Sequence, residues 1–264
     1  MSPQPRRRFT ADSSRRLLRS RDLSWDGCLN VRDLGGHRTE DGGETRYGAV
    51  VRADSIRQLT DAGWASAVDY GVTTIVDLRM DQELEADPPA ELPVDLVHVS
   101  FFDEDEEAFT EVEAVAAAAP DIATATREVY LVFLERFRRN VAAAIAAVAR
   151  APEGAVVVHC MGGKDRTGLV VAFLLHIAGV DDEQIAADYA LSEERLQPRH
   201  EAWLAEAGTE AERERIRRVA STPPESMLGV LEELERRYGS VEGYLRSGGL
   251  TDEDLLLVRE RLRG

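Results

Sequence analysis

The feature that most restricts the fold is a strand, a short loop and a helix that follow one another directly. Residues Ala155-Val156-Val157-Val158 are wholly apolar, and residues 167–178 are apolar almost all round before Gly179. Such runs are typical of a central strand of a parallel sheet and of a buried helix, and glycine is a common residue just after a helix. The unit predicts an α/β fold in which the connecting loop lies at the carboxyl end of a central strand.

Strands and helices alternate through the first two thirds of the chain. The expected strands lie at residues 30–36, 47–52, 72–78, 95–99 and 155–158. The expected helices lie at residues 59–71, 81–87, 121–150 and 167–178, with a loop or weakly held helix at 104–119 and only helices from 181 to 264. This alternation predicts a mostly parallel central sheet flanked by helices, followed by a helical C-terminal part.

Two segments differ from this pattern. Residues 1–22 are rich in arginine and serine, which predicts a disordered arm, either a frayed terminus or a docking segment for acidic partners. Residues 192–222 are strongly charged with a thin apolar stripe, which suits an exposed helical pair or a lid. We find no linker or repeat, so residues 23–264 are expected to form one domain.

Composition narrows the classes of partner. The 264-residue chain has a net charge of -17, which argues against nucleic acid or an anionic membrane as a general partner. No apolar run could span a bilayer, and no apolar segment follows the basic N-terminus, so we expect no integral membrane segment and no secretory signal. The cytoplasm is the expected location, and export without a signal stays open. The sequence indicates no oligomeric state.

The loop carries the chemistry, in the sequence His159-Cys160-Met161-Gly162-Gly163-Lys164-Asp165-Arg166-Thr167-Gly168. A phosphoryl group needs several donors at once, and a short loop at a helix N-terminus can surround it with backbone N–H groups. The glycine pair permits unusual backbone conformations and close approach. The candidate phosphate-binding residues are Met161, Gly162, Gly163, Lys164, Asp165 and Arg166.

Cys160 is the candidate nucleophile, because a helix N-terminus and a nearby arginine both favour thiolate over thiol. Arg166 can clamp two phosphate oxygens with its planar fork. Thr167 can donate a hydrogen bond to the sulfur, which makes it a better leaving group, and His159 is expected to orient the loop. Lys164 either contacts a second phosphate or head group, or only raises the local positive potential.

Competing interpretations of the loop fit less well. A nucleotide-binding loop requires glycine where Val158 lies and serine or threonine where Asp165 lies, so it is excluded. A merely buried cysteine leaves the glycine pair and the three adjacent charged residues unexplained. The second cysteine, Cys28, is expected to pack, with a redox partnership with Cys160 as the alternative. Two cysteines exclude a disulfide scaffold, and no metal or cofactor is expected.

The loop resembles that of protein-tyrosine phosphatases, in particular the bacterial group that includes the mycobacterial secreted protein-tyrosine phosphatase B. Further segments resemble landmarks of this group, at residues 30–36, 51–54, 76–79, 187–189 and 238–245. The resemblance therefore covers most of the chain from about Trp25 onward. It implies a phosphatase fold, activity on phosphotyrosine, in some members also on phosphoserine, phosphothreonine and phosphoinositides, and a helical lid near residues 192–222.

The general acid is not fixed by the sequence. Asp165 lies within the loop, and Asp103 follows a predicted strand at a place resembling a family acid position. Asp77 and Asp81 lie near another strand end. A leaving alkoxide or phenolate needs a proton, for which an aspartate is the usual donor, and the second step needs a base to activate water.

These observations predict a cysteine-dependent phosphomonoesterase with a phosphocysteine intermediate, acting as a protein-tyrosine phosphatase of single, dual or triple specificity. The Lys164-Asp165-Arg166 run keeps a phosphoinositide or inositol phosphate phosphatase as an alternative. A phosphate-binding module without catalysis is the alternative of another class. The expected partner is a phosphorylated protein or phosphoinositide substrate.

Overall fold

A computed structural model describes residues 20–88 and 93–264. One five-stranded sheet lies at its centre, in the order β1-β2-β5-β3-β4. All neighbouring strands are parallel except β1 and β2. The strands are β1 (Arg32–Asp33), β2 (Val50–Ala53), β3 (Val72–Asp77), β4 (Asp95–His98) and β5 (Ala155–His159). The predicted α/β fold with a mostly parallel sheet is confirmed.

Eleven α-helices accompany the sheet in the described residues. They are α1 (Asp61–Tyr70), α2 (Asp81–Ala86), α3 (Glu106–Ala118), α4 (Ile122–Arg136), α5 (Arg138–Arg150), α6 (Asp165–Ile177), α7 (Asp182–Glu206), α8 (Glu210–Ala220), α9 (Pro224–Tyr238), α10 (Val241–Ser247) and α11 (Asp252–Arg263). The first begins as expected, since the Thr60 hydroxyl accepts the Gly63 N–H, and it ends at Gly71 in the left-handed conformation.

The central strand β5 is apolar on both sides because each side packs into a different core. Val156 and Val158 join the larger core with residues of α5, α6, α9, α10 and α11. Ala155 and Val157 join a smaller core with Trp25 and α1. Side chains alternate between the faces of a strand, so the sheet is covered on both sides and the end of β5 is held firmly.

The single helix predicted over residues 121–150 is wrong, because the chain forms α4 and α5 with a break at Phe137. The backbone there has φ -110° and ψ 27°, outside helical values. The two halves have different neighbours: α4 packs on α3 and α9, whereas α5 packs on α6, α10 and α11. No proline or glycine marks the break, so tertiary packing determines it.

The two uncertain segments are both helical. Residues 104–119 contain α3, which begins where the Asp105 carboxylate accepts the Ala108 N–H at 3.0 Å. Residues 192–222 contain the second half of α7 and all of α8, which packs on α7 and has no buried residue.

The predicted N-terminal arm lies outside the described residues up to position 19. Among the described residues, Arg21 already contacts the fold two residues before the predicted domain start, because its guanidinium lies 3.5 Å from the Asp188 carboxylate. The backbone of the next residue, Asp22, forms an antiparallel β-bridge with Arg32 of β1. Among the described helices, none has the length and apolar character needed to cross a bilayer.

Candidate active site

The loop of residues 160–164 joins the end of β5 to the start of α6, as expected, between the ends of β2 and β3. Cys160 lies at its base and is 2% exposed. Met161, the next residue, is 44% exposed and lies at the mouth. The site therefore combines a rigid, buried base with an accessible rim.

Neighbouring segments hold the carbonyl groups of the loop. The Met161 carbonyl accepts the Ser55 N–H at 3.0 Å. The Asn30 side-chain amide donates to the carbonyls of Gly162 and Gly163 at 3.2 and 3.1 Å, and Arg52 donates to the Gly163 carbonyl at 2.8 Å. These donors surround the loop from the segment before β1, from β2 and from the turn after β2, so the carbonyls point away from its centre.

The N–H groups of residues 161–164 show the opposite pattern. Within residues 20–88 and 93–264, no hydrogen bond has any of these four groups as its donor. When the carbonyls of a tight loop point outward, its N–H groups converge inward and form an anion-binding nest. The helix dipole of α6 adds positive potential at the same place.

Gly163 is required by this geometry, but Gly162 is not. Gly163 has φ +63°, and a Cβ atom there would lie 2.3 Å from the Ala53 carbonyl oxygen. Gly162 has no left-handed conformation, and its Cβ atom would meet nothing closer than 3.9 Å. The expectation of conformational need is therefore met at one of the two glycines.

A buried ion cluster supports the loop from below. Asp188 on α7 accepts hydrogen bonds from Arg32 at 2.9 Å and from Arg52 at 2.7 Å. All three side chains are fully buried, and Ser192 joins them through contacts of 3.2 Å with both arginines. Since Arg52 also binds the Gly163 carbonyl, the cluster ties the loop to α7 and β2.

Opposite charges keep this cluster ionised despite its burial. Burial raises the pKa of Asp188, but the charges of Arg32 and Arg52 lower that pKa by a larger amount, so it lies well below the usual range. Burial and the neighbouring Arg52 lower the pKa of Arg32 to about 10, which leaves it charged at neutral pH. Asp188 therefore neutralises part of the charge of two arginines that would otherwise repel each other.

Arg166 is held by a partner that the sequence did not indicate. Both of its terminal nitrogens contact the two carboxylate oxygens of Glu83 on α2, one of them at 2.9 Å. Its guanidinium also lies 5.7 Å from the centre of the Phe102 ring. Burial lowers the pKa of Arg166, but Cys160 and Glu83 raise it above its ordinary value, so the charge is secure. This end-on pairing leaves the side edge of the guanidinium, Nε and one terminal nitrogen, available to an anion.

Asp165 has two donors on one oxygen. The Tyr130 hydroxyl lies 2.5 Å from its Oδ1, and the Lys164 ammonium lies 3.1 Å from the same atom. Its side chain is still 48% exposed, so solvent or substrate can reach it. Contact with surrounding protein raises the pKa of Asp165, but Lys164 and the Tyr130 hydrogen bond lower it below the usual range. The resting group is therefore a carboxylate.

Lys164 makes contacts that neither sequence interpretation included. Its ammonium donates to the Val219 carbonyl at 2.6 Å and contacts the Ser221 carbonyl at 3.4 Å, both at the C-terminal end of α8. Positive charge is favourable at such an end, where carbonyl groups lack helical partners. Lys164 thus joins the loop to the end of α8.

The other candidate aspartates lie apart from the loop or beneath it. Asp103 is exposed and accepts a hydrogen bond from Asn140 at 3.0 Å. Asp77 is buried and paired with Arg79 at 2.8 Å, so it cannot reach a leaving group. Asp81 is 77% exposed beside His98. Asp165 is the candidate that directly follows the loop, as the first residue of α6 and next to Arg166.

Three remaining predicted residues have definite positions. The Thr167 hydroxyl is buried and has no hydrogen-bond partner in the described part of the chain, so the expected bond to the Cys160 sulfur is not formed here. The His159 ring lies 3.1 Å from the Cys160 carbonyl and 3.5 Å from Asp77, and burial lowers its pKa, so it is neutral. Cys28 donates to the Ser55 carbonyl at 3.4 Å, and burial raises its thiol pKa.

A cleft of about 500 Å³ opens beside Asp165 and Lys164. Small apolar side chains of α3 and α4 form one wall, and α8 contributes Glu214, Arg218 and Val219 to the other. Apolar and polar residues line the cleft in equal numbers, so it offers an apolar wall opposite several charged groups.

The sequence over residues 23–264 matches the model of the tyrosine phosphatase family. The chain belongs to that family. A tyrosine-protein phosphatase from Nostoc commune is 29% identical over 81% of this chain and 74% of the relative. Triple specificity protein phosphatase PtpB from Mycobacterium tuberculosis is also 29% identical, over 90% of this chain and 98% of the relative.

Membership shows that the chain is a cysteine-dependent protein phosphatase, a hydrolase of phosphate monoesters. The resemblance to bacterial tyrosine phosphatases is thereby confirmed, and the relatives do not favour the phosphoinositide alternative. The residue segments that carried the resemblance now have a physical role. Those at 30–36, 51–54 and 187–189 contain Asn30, Arg52 and Asp188, which hold the loop.

Replacing Asp188 by Asn should destabilise the protein strongly, because two buried arginines would lose their counterion. We expect a loss of about 3–5 kcal/mol in the free energy of unfolding, measured in urea. The matched control is Asp252→Asn, whose carboxylate pairs with Arg246 but is 81% exposed, and which should cost about 1 kcal/mol or less. Equal losses in the two variants would contradict the role given to the cluster.

Replacing Glu83 by Gln should weaken phosphate binding, because Arg166 would lose a charged partner that fixes its orientation. We expect the inhibition constant of inorganic phosphate, measured in competition with an aryl phosphate, to rise about tenfold or more. Glu85→Gln on the exposed side of the same helix is the control and should leave that constant unchanged. Equal constants in both variants would show that Glu83 does not position Arg166.

Proposed function

We propose that the loop binds the phosphate dianion of a phosphotyrosine side chain in a protein, with Cys160 as nucleophile and Arg166 as clamp. The observation that carries this assignment is the orientation of the loop. Asn30, Arg52 and Ser55 bind its carbonyls from outside, which leaves the N–H groups to converge above the buried sulfur. An anion centred there is reached by the side edge of Arg166.

The first step transfers the phosphoryl group to the enzyme. The thiolate of Cys160 attacks phosphorus in line with the ester bond, the P–O bond to the tyrosine breaks, and a P–S bond forms. The N–H groups and Arg166 stabilise charge on the three equatorial oxygens. The phenolate oxygen leaves with a proton from the general acid.

We assign Asp165 as the general acid that donates this proton. It directly follows the loop as the first residue of α6, it is accessible, and it lines the cleft beside the loop. Its carboxylate must take up a proton as the substrate binds, and the approaching dianion favours this because like charges raise the pKa of a carboxyl group. In the second step Asp165 removes a proton from water, which attacks phosphorus and releases Cys160 and inorganic phosphate.

Thr167 and Asp103 have lesser places in this scheme. The unpartnered Thr167 hydroxyl is available to the sulfur as negative charge returns to it. Asp103 follows Phe102, whose ring contacts Arg166, and is therefore the second candidate for the acid. We favour Asp165 because Asp103 is bonded to Asn140 at the protein surface.

The cleft supports an aromatic phosphoester over an inositol phosphate. Val129, Ile122 and Ala125 give it an apolar wall, which suits a phenyl ring. Lys164, the residue that suggested a second phosphate, is already bonded to two carbonyls of α8 and to Asp165. A relative is called a triple specificity phosphatase, so phosphoserine and phosphothreonine proteins are the next substrates to test.

Replacing Cys160 by Ser tests the nucleophile and the alternative of a non-catalytic module together. Serine is a far weaker nucleophile at neutral pH, so turnover of an aryl phosphate should fall by about 10³-fold or more. Inorganic phosphate should still bind, as measured by calorimetry, because the N–H groups and Arg166 remain. Cys28→Ser is the matched control and should retain activity. Unchanged turnover in Cys160→Ser would contradict the proposal.

The mechanism also predicts two responses to additives. Vanadate should inhibit competitively, since it adopts the five-coordinate geometry of the transition state that the loop stabilises. A chelator such as EDTA should leave turnover of an aryl phosphate unchanged, because thiolate and arginine perform the chemistry. Loss of activity on chelation that returning a divalent cation restores would point to a metal-dependent reaction.

A further inference from the structure

Two buried tyrosines stand behind Asp165. Tyr130 comes from α4 and is 3% exposed, and Tyr189 comes from α7 and is 1% exposed. Their hydroxyl oxygens lie 2.9 Å apart, and the Tyr130 oxygen lies 2.5 Å from Asp165 Oδ1. Three side chains from three helices thus form one continuous chain of hydrogen bonds that ends on the carboxylate.

Hydrogen-bond chemistry fixes the direction of this chain. An ionised carboxylate can only accept, so Tyr130 must donate to Asp165. The Tyr130 hydroxyl has a single proton, so at the other contact it accepts and Tyr189 donates. Burial and the nearby Asp165 charge raise the pKa of both hydroxyls, so both keep their protons at working pH.

Packing holds the two rings in place. They meet edge to face, with centroids 6.2 Å apart and planes at 82°. Gly168, one turn into α6, makes room for Tyr189, since a Cβ atom there would lie 3.1 Å from its ring. The Tyr130 hydroxyl is therefore a fixed donor, whereas the ammonium of Lys164, the other donor to Asp165, is shared between Asp165 and the end of α8.

We propose that Tyr130 is a positioning residue for catalysis: its hydroxyl, backed by Tyr189, orients the Asp165 carboxylate and favours its ionised form. This rests on the proposed function, in which Asp165 is the general acid and then the base. A donor that stabilises the carboxylate makes Asp165 a stronger acid in the first step and favours its ionised resting state. It therefore sets the pH range in which the enzyme starts a turnover.

Other charged and titratable groups also face Asp165, and they limit what Tyr130 alone controls. Lys164 of the loop and Arg166 of α6 flank it, and Cys160 lies at the base of the loop. Tyr130 and the helix-capping Asp121 belong to the α4 side of the cleft, and Tyr189 belongs to α7. Glu214 and Arg218 line the α8 side. Removing the Tyr130 hydroxyl changes none of these charges. Its effect should therefore appear as a shift in pH dependence without a change in net charge.

The test is the pH profile of kcat/KM for Tyr130→Phe with an aryl phosphate of poor leaving ability, so that proton donation matters. Loss of the donor makes the protonated form of Asp165 easier to populate, so the basic limb should move upward by about one pH unit. The acidic limb should stay in place. A uniform loss of activity at every pH, or an unmoved basic limb in a folded variant, would overturn the inference.

Tyr238→Phe is the matched control, because its hydroxyl also donates to a carboxylate, Glu135 at 2.6 Å, but on the exposed surface. It should leave the profile unchanged, and a shift equal to that of Tyr130→Phe would overturn the inference. Tyr189→Phe should shift the basic limb in the same direction by a smaller amount, since Tyr189 acts through Tyr130. If Tyr130→Phe does not fold, the pH profile of Tyr189→Phe replaces it as the test, and an unmoved basic limb in Tyr189→Phe would then overturn the inference.

Asp165→Asn separates this inference from the proposed function. If the basic limb persists in Asp165→Asn, then Asp165 is not the acid and both assignments fail. If the limb disappears in Asp165→Asn but does not move in Tyr130→Phe, the assignment of Asp165 stands and the role of Tyr130 is refuted. If the basic limb disappears in Asp165→Asn and moves in Tyr130→Phe, the roles of Asp165 and Tyr130 are both supported.

Discussion

The ion cluster of Asp188 with Arg32 and Arg52 is the interaction on which the site depends. It places a charge of the right sign between two buried arginines, and it connects α7, β1 and β2 at one point. Because Arg52 also binds the Gly163 carbonyl, the loop cannot reorient its peptide groups without disturbing a buried charge. The orientation of donors around the sulfur is thus secured by desolvated charges rather than by the loop itself.

An acidic protein that binds dianions must concentrate its positive charge. The net charge is -17, yet Arg32, Arg52 and Arg166 all lie within or directly behind the loop. Each of the three has a carboxylate partner, so none of their charges is buried without compensation. The field at the loop therefore depends on orientation and position more than on net charge.

The sequence predicted what local pattern determines and missed what distant packing determines. The strand before Cys160, the Thr60 cap and the loop between that strand and α6 follow from short stretches with a clear physical reason. The break at Phe137 could not be predicted, because it arises from the different neighbours of α4 and α5. Glu83 and Tyr130 were missed because each meets the loop from a helix far away in sequence, with no motif of its own. A resemblance, rather than periodicity, drew attention to the segment that contains Asp188.

The helix α8 has no buried residue, although it forms one side of the cleft that leads to Asp165. Substitutions on such a surface usually change stability by only a few tenths of a kcal/mol, whereas changes at the base of the loop disturb a packed core. On the proposed assignment of this cleft to the substrate, selection can alter which phosphoester enters at little risk to folding, while the reacting groups stay under strict constraint. The architecture separates the evolution of substrate choice from the preservation of chemistry.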